Sequence, residues 1–256
     1  MTRRNTAQRR HAILAQLQEQ GEVSVDELAR QLETSEVTIR KDLAALKRNG
    51  LLLRRYGGAV AMPQELLAEA PPQASPFKQA IARAAARRLR EHARIIVDCG
   101  STTAALIPQL DRRPGLVVMT NSLQVATALR ELEQEPMLLM TGGTWDPHSE
   151  SFQGQVAEQV LRSYDFDQLF IGADGLDPER GTTTFNEHLS LSRVMAEVAR
   201  EVVVMAEASK LGRRIPNLEL PWERVDVLIT DERLPAEAAR AIETQGVQVI
   251  CAPVEN

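Results

Sequence analysis

Four polar residues close together in the chain have side chains that could contact nucleic-acid bases. They are Ser35, Glu36, Thr38 and Arg40. Hydroxyl and carboxylate groups exchange hydrogen bonds with base edges, and a guanidinium can pair bidentately with guanine. Arg40 has an alternative role, because it could instead clamp a phosphate or pair with Asp42 or Glu36. The residue types predict a surface that reads a duplex, with Arg40 as the first candidate for a base contact.

A helix-turn-helix must position these side chains. Ser24 and Glu27 have the spacing of a capping box, which predicts the start of one helix. Ser35 is the predicted N-cap of the next helix, and an earlier helix over about residues 6–20 ends at Gly21. The apolar residues expected to face a core from the helix after Ser35 are Val37, Ile39, Leu43 and Leu46. The polar residues then lie on the opposite side of that helix.

A basic hairpin is predicted after this helix. It contains Arg54 and Arg55, and Gly57 with Gly58 permits a tight reversal or a close approach to a sugar-phosphate backbone. The hairpin could alternatively serve only for packing. The residues predicted to contact DNA are Ser35, Glu36, Thr38, Arg40, Lys41, Arg54, Arg55 and Tyr56. This order of elements is that of a winged helix-turn-helix, which places one helix in the major groove.

Charge is distributed unevenly along the chain. Residues 1–60 contain 11 Lys and Arg against 7 Asp and Glu, a net charge of +4, whereas residues 61–256 contain 19 against 28, a net charge of −9. Two basic blocks, at residues 1–10 and 40–55, flank an acidic middle. This arrangement suits a surface that faces phosphates, although an ordinary basic surface would look similar.

The length of 256 residues predicts two domains. We expect residues 1–60 to form the DNA-binding domain, 61–76 to form a linker, and 77–256 to form an α/β domain. In the last part, short apolar runs alternate with helical patterns, which indicates a largely parallel sheet with helices on both faces. The predicted strands are 95–97, 116–119, 137–140, 168–171, 202–205, 225–229 and 247–250.

Polar loops follow these predicted strands. The carboxyl ends of strands in an open α/β sheet form a ligand crevice. Hydroxyl and backbone N–H groups at a strand–helix junction suit a phosphate, a lysine could neutralise it, and carboxylates could accept hydroxyl protons from a polyol. The candidate effector residues are Asp98, Gly100, Ser101, Thr102, Thr103, Asn121, Ser122, Asp174, Glu187 and Lys210.

Each of these loops has a simpler explanation as well. Gly, Ser and Thr at strand–helix junctions often serve only as turn and capping residues. His148 and His188 have no matching set of metal ligands around them. We therefore expect neither a metal nor a cofactor, and no catalytic residue is assigned.

Composition excludes several classes of protein. The hydrophobic fraction of 43% is sufficient for packed cores. No apolar run is long enough to cross a bilayer, and no apolar segment follows the basic N-terminus as a secretory signal would require. The two cysteines, Cys99 and Cys251, lie far apart in the sequence and form no disulfide framework. We expect a cytoplasmic protein without a membrane partner.

Both parts of the chain resemble one known family. Residues 23–59, with T-I-R-K-D-L followed by G-L-L-L-R-R-Y-G-G-A, resemble the DNA-binding domain of DeoR-type bacterial transcription regulators. Family members commonly have Arg at the position of Lys41 and often His at that of Tyr56. Residues 77–252 resemble the family's sensor domain, and the matching segments are K-Q-A-I-A, D-C-G-S-T-T, T-N-S-L, T-G-G, F-I-G-A-D-G, G-T-T-T-F-N-E and S-K-L-G.

The resemblance implies a specific function. It implies a C-terminal fold similar to ribose-5-phosphate isomerase and an effector that is a phosphorylated sugar. We expect a repressor of a sugar or amino-sugar catabolic operon that acts as a homodimer or homotetramer on double-stranded operator DNA. The alternative is a sugar-phosphate isomerase-like enzyme with an appended DNA-binding domain, in which Asp98, Asp174 or Glu187 would serve as general base.

Overall fold

A computed structural model describes residues 3–48, 52–55, 57–61, 74–111, 113–147, 149–186, 189–213 and 215–254. The chain divides into two compact units, Met1–Ala70 and Pro71–Asn256. Each unit has its own apolar core. The larger unit contains two further buried clusters.

The N-terminal unit is a winged helix-turn-helix. Among its described residues, three helices combine with a three-stranded antiparallel sheet of order β1-β3-β2. The elements are α1 Arg3–Gln20, β1 Glu22–Ser24, α2 Val25–Gln31, α3 Glu36–Arg48, β2 Leu52–Arg55 and β3 Gly58–Ala61. Ser24 caps α2 by accepting a hydrogen bond from the N–H of Glu27 at 3.3 Å. Ser24 is therefore the N-cap of α2, as the capping-box spacing predicted.

Helical phase corrects one prediction about the core of this unit. Ile39, Leu43 and Leu46 are buried as predicted, but the residue Val37 is 58% exposed. Val37 precedes Ile39 by two residues, so it lies about 200° away around the helix axis. It faces away from the core for that reason, and the prediction that it packs inside was wrong.

A seven-stranded parallel sheet forms the centre of the C-terminal unit. Its strand order is β15-β14-β12-β9-β4-β5-β6, and each described pair is parallel. The strands are β4 Arg94–Val97, β5 Val117–Thr120, β6 Met137–Met140, β9 Gln168–Ile171, β12 Val202–Met205, β14 Val227–Asp231 and β15 Gln248–Ala252. The largely parallel α/β sheet predicted from the apolar runs is confirmed.

Helices cover both faces of this sheet. Alternating residues of each strand point to opposite sides, so Ile95 and Val97 enter one core and Ile96 enters the other. The first core includes residues of α4 Pro76–Ala86 and α6 Leu123–Arg130. The second includes residues of α7 Gln155–Arg162, α8 Ser190–Val198 and α9 Ala236–Thr244. This arrangement leaves the strand ends and their loops available to form a site.

Two smaller sheets accompany the central one. An antiparallel sheet of order β10-β11-β13 consists of β10 Gly175–Asp177, β11 Gly181–Thr184 and β13 Asn217–Pro221. A hairpin consists of β7 Thr144–Asp146 and β8 Ser151–Gln153. The sequence did not predict either sheet, because their strands are short and largely polar.

Three helices differ in length from their sequence patterns. The helical pattern over 77–92 gives α4, which starts at Pro76, is capped by Ser75 and ends at Ala86. The helix after β4, α5 Ser101–Ala104, spans four residues. The sequence from Asn186 onward has a helical pattern, whereas α8 begins at Ser190. A single turn such as α5 has little macrodipole, so any anion there must be bound by side chains and individual N–H groups.

Candidate functional site

The N-terminal turn of α3 presents the predicted base-reading residues to solvent. Ser35 caps the helix by accepting a hydrogen bond from the N–H of Thr38 at 3.2 Å, and the two hydroxyls lie 2.9 Å apart. Ser35 therefore has the capping role that the sequence predicted, and Thr38 shares its hydrogen bonding. Lys41 is exposed on the same helix. The first two turns of α3 thus carry hydroxyl and basic groups on an open surface.

Arg40 pairs with Glu36 in this structure. Its NH2 group lies 2.6 Å from Glu36 Oε2, and both side chains are about half exposed, 54% and 50%. The spacing is i, i+4 along α3, which holds the guanidinium against the helix surface. The intramolecular pairing that the sequence left open as an alternative is thus present. An exposed pair of this kind contributes little to stability, so Arg40 can exchange Glu36 for a base or a phosphate at low cost.

Asp42 faces the opposite way and ties α3 to α1. Its side chain is 3% exposed and accepts hydrogen bonds from Arg9 Nε at 2.5 Å and Arg10 Nε at 2.8 Å. Two of the four arginines in the basic block at residues 1–10 are therefore partners of a buried carboxylate. Their position fixes the packing of the recognition helix, because a buried charge must remain paired.

The two glycines of the hairpin that follows α3 have different roles. Gly57 has a φ of 79°, in the left-handed region that favours glycine, and forms the reversal between β2 and β3. A Cβ on Gly58 would overlap the backbone carbonyl of Val23, so this glycine permits close approach to β1. Arg54 and Arg55 lie on β2, with their side chains outside the described part of the structure. Tyr56 also lies outside the described residues.

Asp98 and Asn121 meet at the carboxyl edge of the parallel sheet. They follow the neighbouring strands β4 and β5. Asn121 Oδ1 accepts a hydrogen bond from the N–H of Cys99 at 3.2 Å, and its side chain also hydrogen-bonds Asp98. Burial raises the pKa of Asp98 to about 6, so this carboxyl is mostly ionised near neutral pH. The pair offers acceptor atoms at one point of the edge.

The loop 100–103 contains one unsatisfied hydroxyl. Gly100 has a φ of 131° and starts α5. Thr103 Oγ1 donates to the carbonyls of Asp98 at 2.8 Å and Gly100 at 2.9 Å, so it stabilises the loop. Thr102 is buried, and its Oγ1 has no hydrogen-bond partner among the described residues. Ser101 is exposed. Ser101 and Thr102 are therefore the hydroxyls of this loop that a ligand could use.

Lys78 is a buried cation that sequence reasoning overlooked. Its residue is 9% exposed, and Nζ donates to Ser101 Oγ at 3.0 Å. Lys78 shares one helical face with the buried residues Ile81, Ala82 and Ala85, so the phase of α4 was the signal that could have found it. A buried ammonium beside a loop of hydroxyl groups is suited to an anion.

Asp174, Ser122 and Lys210 lie in three further loops of the unit. Asp174 Oδ2 accepts from Thr184 Oγ1 at 2.8 Å and from the N–H of Phe185 at 3.1 Å. Lys210 Nζ donates to the carbonyl of Ala173. Ser122 accepts from the N–H of Val125 at 3.3 Å and is the N-cap of α6. Asp174 and Lys210 therefore belong to one region, whereas Ser122 has the capping role that the sequence left open.

Glu219 on β13 adds a third carboxyl to Asp98 and Asp174, and no sequence pattern pointed to it. Ser192 Oγ donates to Glu219 Oε1 at 2.8 Å, and Thr182 Oγ1 lies 3.5 Å from Oε2. Burial, together with the negative charges of Asp98 and Asp174, raises the pKa of Glu219 to about 8. Glu219 is thus mostly protonated near neutral pH. It can donate a hydrogen bond where the two aspartates accept one.

The site combines a cationic part with a carboxyl part. Lys78, Ser101 and Thr102 could bind an anionic group, and Asp98, Asp174 and Glu219 could bind hydroxyl groups. Glu187, a predicted effector residue, lies outside the described residues. Within the described ranges, no group of His, Cys, Asp and Glu side chains is arranged to hold a metal ion. No helix in the same ranges is long and apolar enough to cross a membrane.

Two family models match the chain. The DeoR-like helix-turn-helix domain matches residues 9–65, and the DeoR C-terminal sensor domain matches residues 74–232. The chain is 37% identical to a putative aga operon transcriptional repressor of Escherichia coli O157:H7, over 96% of this chain and 93% of the relative. It is 34% identical to the transcriptional regulator GlpR of Haloferax volcanii, over 95% of this chain and 97% of the relative.

Similar solved structures cover different shares of the chain. Ribose 5-phosphate isomerase A from Methanocaldococcus jannaschii aligns with 52% of this chain and 53% of its own, with 20% identity and a TM-score of 0.40. A translation initiation factor eIF-2B of Pyrococcus horikoshii aligns with 88% of this chain and 87% of its own, with 13% identity and a TM-score of 0.42. The sequence relatives are transcriptional regulators, and their names describe no enzyme. The chain belongs to the DeoR family of transcriptional regulators.

Proposed function

We propose that this regulator is a repressor of a sugar or amino-sugar catabolic operon, released from its operator by a phosphorylated sugar. Residues 1–60 read the operator, residues 77–256 bind the effector, and residues 61–76 link the two. A relative that is 37% identical bears the name of a putative aga operon transcriptional repressor, which supports repression of an operon. A homodimer or homotetramer would place paired α3 helices on two half-sites.

The exposed first turns of α3 support the DNA-reading part of the proposal. Arg40 is 54% exposed and held by one exposed partner, Glu36, which a guanine or a phosphate can replace. The hydroxyls of Ser35 and Thr38 lie beside it at the N-terminus of α3, the end from which recognition helices contact bases. The buried pairs of Asp42 with Arg9 and Arg10 hold this helix in place.

The contact of Lys78 with Ser101 carries the effector part of the proposal. A buried ammonium 3.0 Å from an exposed hydroxyl, with the unpartnered Thr102 hydroxyl in the same loop, forms a cradle for a phosphate. Asp98, Asp174 and the protonated Glu219 supply acceptors and a donor for sugar hydroxyls. A phosphorylated sugar has both kinds of group.

A measurement of operator binding tests the proposed role of the DNA-binding domain, residues 1–60, which we call the reader. A duplex selected from a random pool by the wild-type protein serves as the operator. We expect Arg40→Ala to weaken its binding by about tenfold or more, the loss of a bidentate base contact. Arg30→Ala is the matched control, because Arg30 is 74% exposed and pairs with Asp26 at the same i, i+4 spacing on α2. Equal affinities for wild type and Arg40→Ala would remove Arg40 from the interface.

Release of the operator DNA by an effector tests the proposed role of residues 77–256, which we call the sensor. Pentose, hexose and amino-hexose phosphates are titrated into the complex with the selected duplex. We expect at least one to weaken DNA binding, and Ser101→Ala and Lys210→Ala to reduce that response while DNA binding without the sugar stays intact. The same sugars are incubated with the protein and assayed for isomerised product, which a sensor does not form. Sustained turnover would instead support the isomerase, and no response to any sugar would contradict sugar-phosphate sensing.

A further inference from the structure

The first turn of α4 is attached to three loops at the carboxyl edge of the sheet. Lys78 Nζ donates to Ser101 Oγ in the loop after β4 at 3.0 Å. Ser75, the N-cap of α4, donates to Glu207 Oε1 in the loop after β12 at 2.9 Å. The guanidinium of Arg233, in the loop after β14, lies 3.4 Å from the ring centroid of Phe77. The start of α4 therefore contacts several effector loops at once.

Glu207 connects these contacts to one another. Its side chain is 11% exposed, and Oε2 lies 4.0 Å from Lys78 Nζ. Oε1 accepts from Ser75 and lies 3.8 Å from Arg233. A distance of 4.0 Å is an ion pair without a hydrogen bond. Within the described residues, Lys78 Nζ thus donates one hydrogen bond, to Ser101, out of the three that an ammonium can donate. Its interaction with Glu207 is an electrostatic attraction without a hydrogen bond.

We propose that Lys78 and Glu207 couple effector binding at the loop 100–103 to the start of α4, and through Ser75 to the segment that leads from the DNA-binding unit. This inference rests on the proposed function, because it requires an anionic effector at Ser101. Residues 62–73 join β3 to the residues just before Ser75 in the sequence. Ser75 thus lies near the end of the linker in the sequence, immediately before α4.

Competition between two anions for one ammonium drives the coupling. A phosphate that binds Ser101 also lies within reach of Lys78 Nζ and carries more negative charge than the Glu207 carboxylate. Lys78 then pairs with the phosphate, and Glu207 loses a cationic neighbour in a mostly buried position. An unbalanced buried carboxylate is costly, so Glu207 moves toward Arg233 or toward water. This movement alters the hydrogen bond that Glu207 accepts from Ser75, and with it the position of the N-terminus of α4.

A purely structural role for these residues predicts a different result. In that case their substitution would lower stability and leave the response to the effector unchanged. Glu207→Gln separates the two explanations, because glutamine can still accept the Ser75 hydrogen bond while it no longer competes for Lys78. Lys78→Met removes the ammonium but keeps a long apolar side chain on the buried face of α4. Arg87→Met is the matched control, since Arg87 is exposed at the other end of α4 and loses the same charge.

The experiment uses the full chain, the selected operator duplex and three phosphate probes: inorganic phosphate, ribose 5-phosphate and glucosamine 6-phosphate. Probe binding is measured from the rise in melting temperature, and release from the change in operator Kd. We expect the most effective probe to raise the operator Kd of wild type and Arg87→Met by about tenfold. Glu207→Gln should bind that probe at least as well as wild type, with an operator Kd that rises less than about twofold. Lys78→Met should neither bind it nor release DNA.

Two results would overturn the inference, and they can be told apart. If Glu207→Gln keeps the wild-type release, or if Lys78→Met binds and responds as wild type does, the coupling residues are wrong while phosphate sensing stands. If wild type itself binds none of the probes and keeps its operator affinity, the proposed phosphorylated effector is wrong and this inference falls with it.

Discussion

Val37 is an exposed apolar residue on the outward side of α3, next to the polar residues that we assign to base contacts. It is 58% exposed and lies two residues after Ser35, the N-cap. The N-terminal residues of a recognition helix contact base edges, and an apolar side chain there can pack against the C5 methyl group of thymine. We therefore expect Val37 to add an apolar contact to the base hydrogen bonds that we propose for Arg40 and Thr38.

We expect Val37→Ala to lose discrimination between thymine and uracil at one position of the half-site. Wild-type protein should bind a thymidine duplex about fourfold more tightly than the deoxyuridine duplex, the effect of burying roughly one methyl group at about 0.8 kcal/mol. The difference should disappear in Val37→Ala. Anisotropy measurements on singly substituted duplexes test this, with Val156→Ala as control because Val156 is also 58% exposed but lies on α7. Discrimination retained in Val37→Ala would exclude the contact.

Glu219 gives the sensor a pH-dependent stability. Its pKa is about 8 in the folded protein against an ordinary value of 4.5. Between these values the folded state holds a proton that the unfolded state has lost, so the free energy of unfolding decreases as pH rises. One such group contributes at most about 1.4 kcal/mol per pH unit.

Glu219→Gln should remove this dependence, because an amide has no proton to lose. We expect the variant to gain stability relative to wild type as pH increases from about 5 to about 8, with the largest gain at the alkaline end. Urea denaturation across that range measures the difference. Glu179→Gln, at an exposed position of the same unit, should show no such trend. A Glu219→Gln difference that is constant with pH would show that the group is ionised in the folded state.

At the scale of elements, the wing depends on two adjacent glycines with different functions. In Gly57→Ala, the alanine must keep the φ of 79°, which costs about 1 kcal/mol of backbone strain. The space around its Cβ is open. Gly58→Ala meets the carbonyl of Val23 and must separate β3 from β1, at a cost of about 1–3 kcal/mol from overpacking. We expect Gly58→Ala to destabilise the N-terminal unit more and to weaken operator binding more. Chemical denaturation and DNA titration of both variants test this order, and a larger loss in Gly57→Ala would reverse our assignment.

The apolar strands of the central sheet could be predicted, because a continuous run of apolar residues indicates a buried strand. The runs at Met137–Met140, Gln168–Ile171 and Val202–Met205 form strands with the predicted bounds. By contrast, β11 consists of Gly181–Thr184, and all four residues are buried. A Gly-Thr-Thr-Thr segment is not recognisable as an interior strand, since Thr182 and Thr184 find hydroxyl partners only in tertiary contacts, with Glu219 and Asp174.

The candidate site was predictable only in part for a related reason. Loop residues such as Asp98 and Asn121 follow apolar strands, so the topology of a parallel sheet indicates that they meet. Lys78 and Glu219 come from a helix and from a strand of the small sheet. The phase of α4 marks Lys78 as facing the core, but no local pattern places either residue near those loops. Val37 shows the reverse error, in which residue type was taken as evidence of burial although helical phase decides it.

At the scale of the whole molecule, the two units carry opposite charge. The first 60 residues have a net charge of +4 and the remainder −9. DNA attracts the first and repels the second, so association with the operator must depend strongly on salt through the reader alone. The phosphorylated effector that we propose is also anionic, so we expect its binding to the acidic unit to depend on the local cation Lys78 rather than on the overall field.

Linkage between the two units makes a reciprocal prediction for the intact regulator. If a sugar phosphate raises the operator Kd by some factor, the operator must raise the Kd of that sugar phosphate by the same factor, because both pathways join the same end states. We expect a factor of about 5–150, the usual range for allosteric coupling. Anisotropy with saturating sugar phosphate gives one factor, and calorimetric titration of the sugar phosphate with and without saturating duplex gives the other, at one protein concentration.

A sugar phosphate bound more tightly in the presence of the operator would reverse the sign of the coupling and make the protein an effector-dependent DNA binder. Unequal factors would mean that a further equilibrium, such as subunit dissociation, accompanies release.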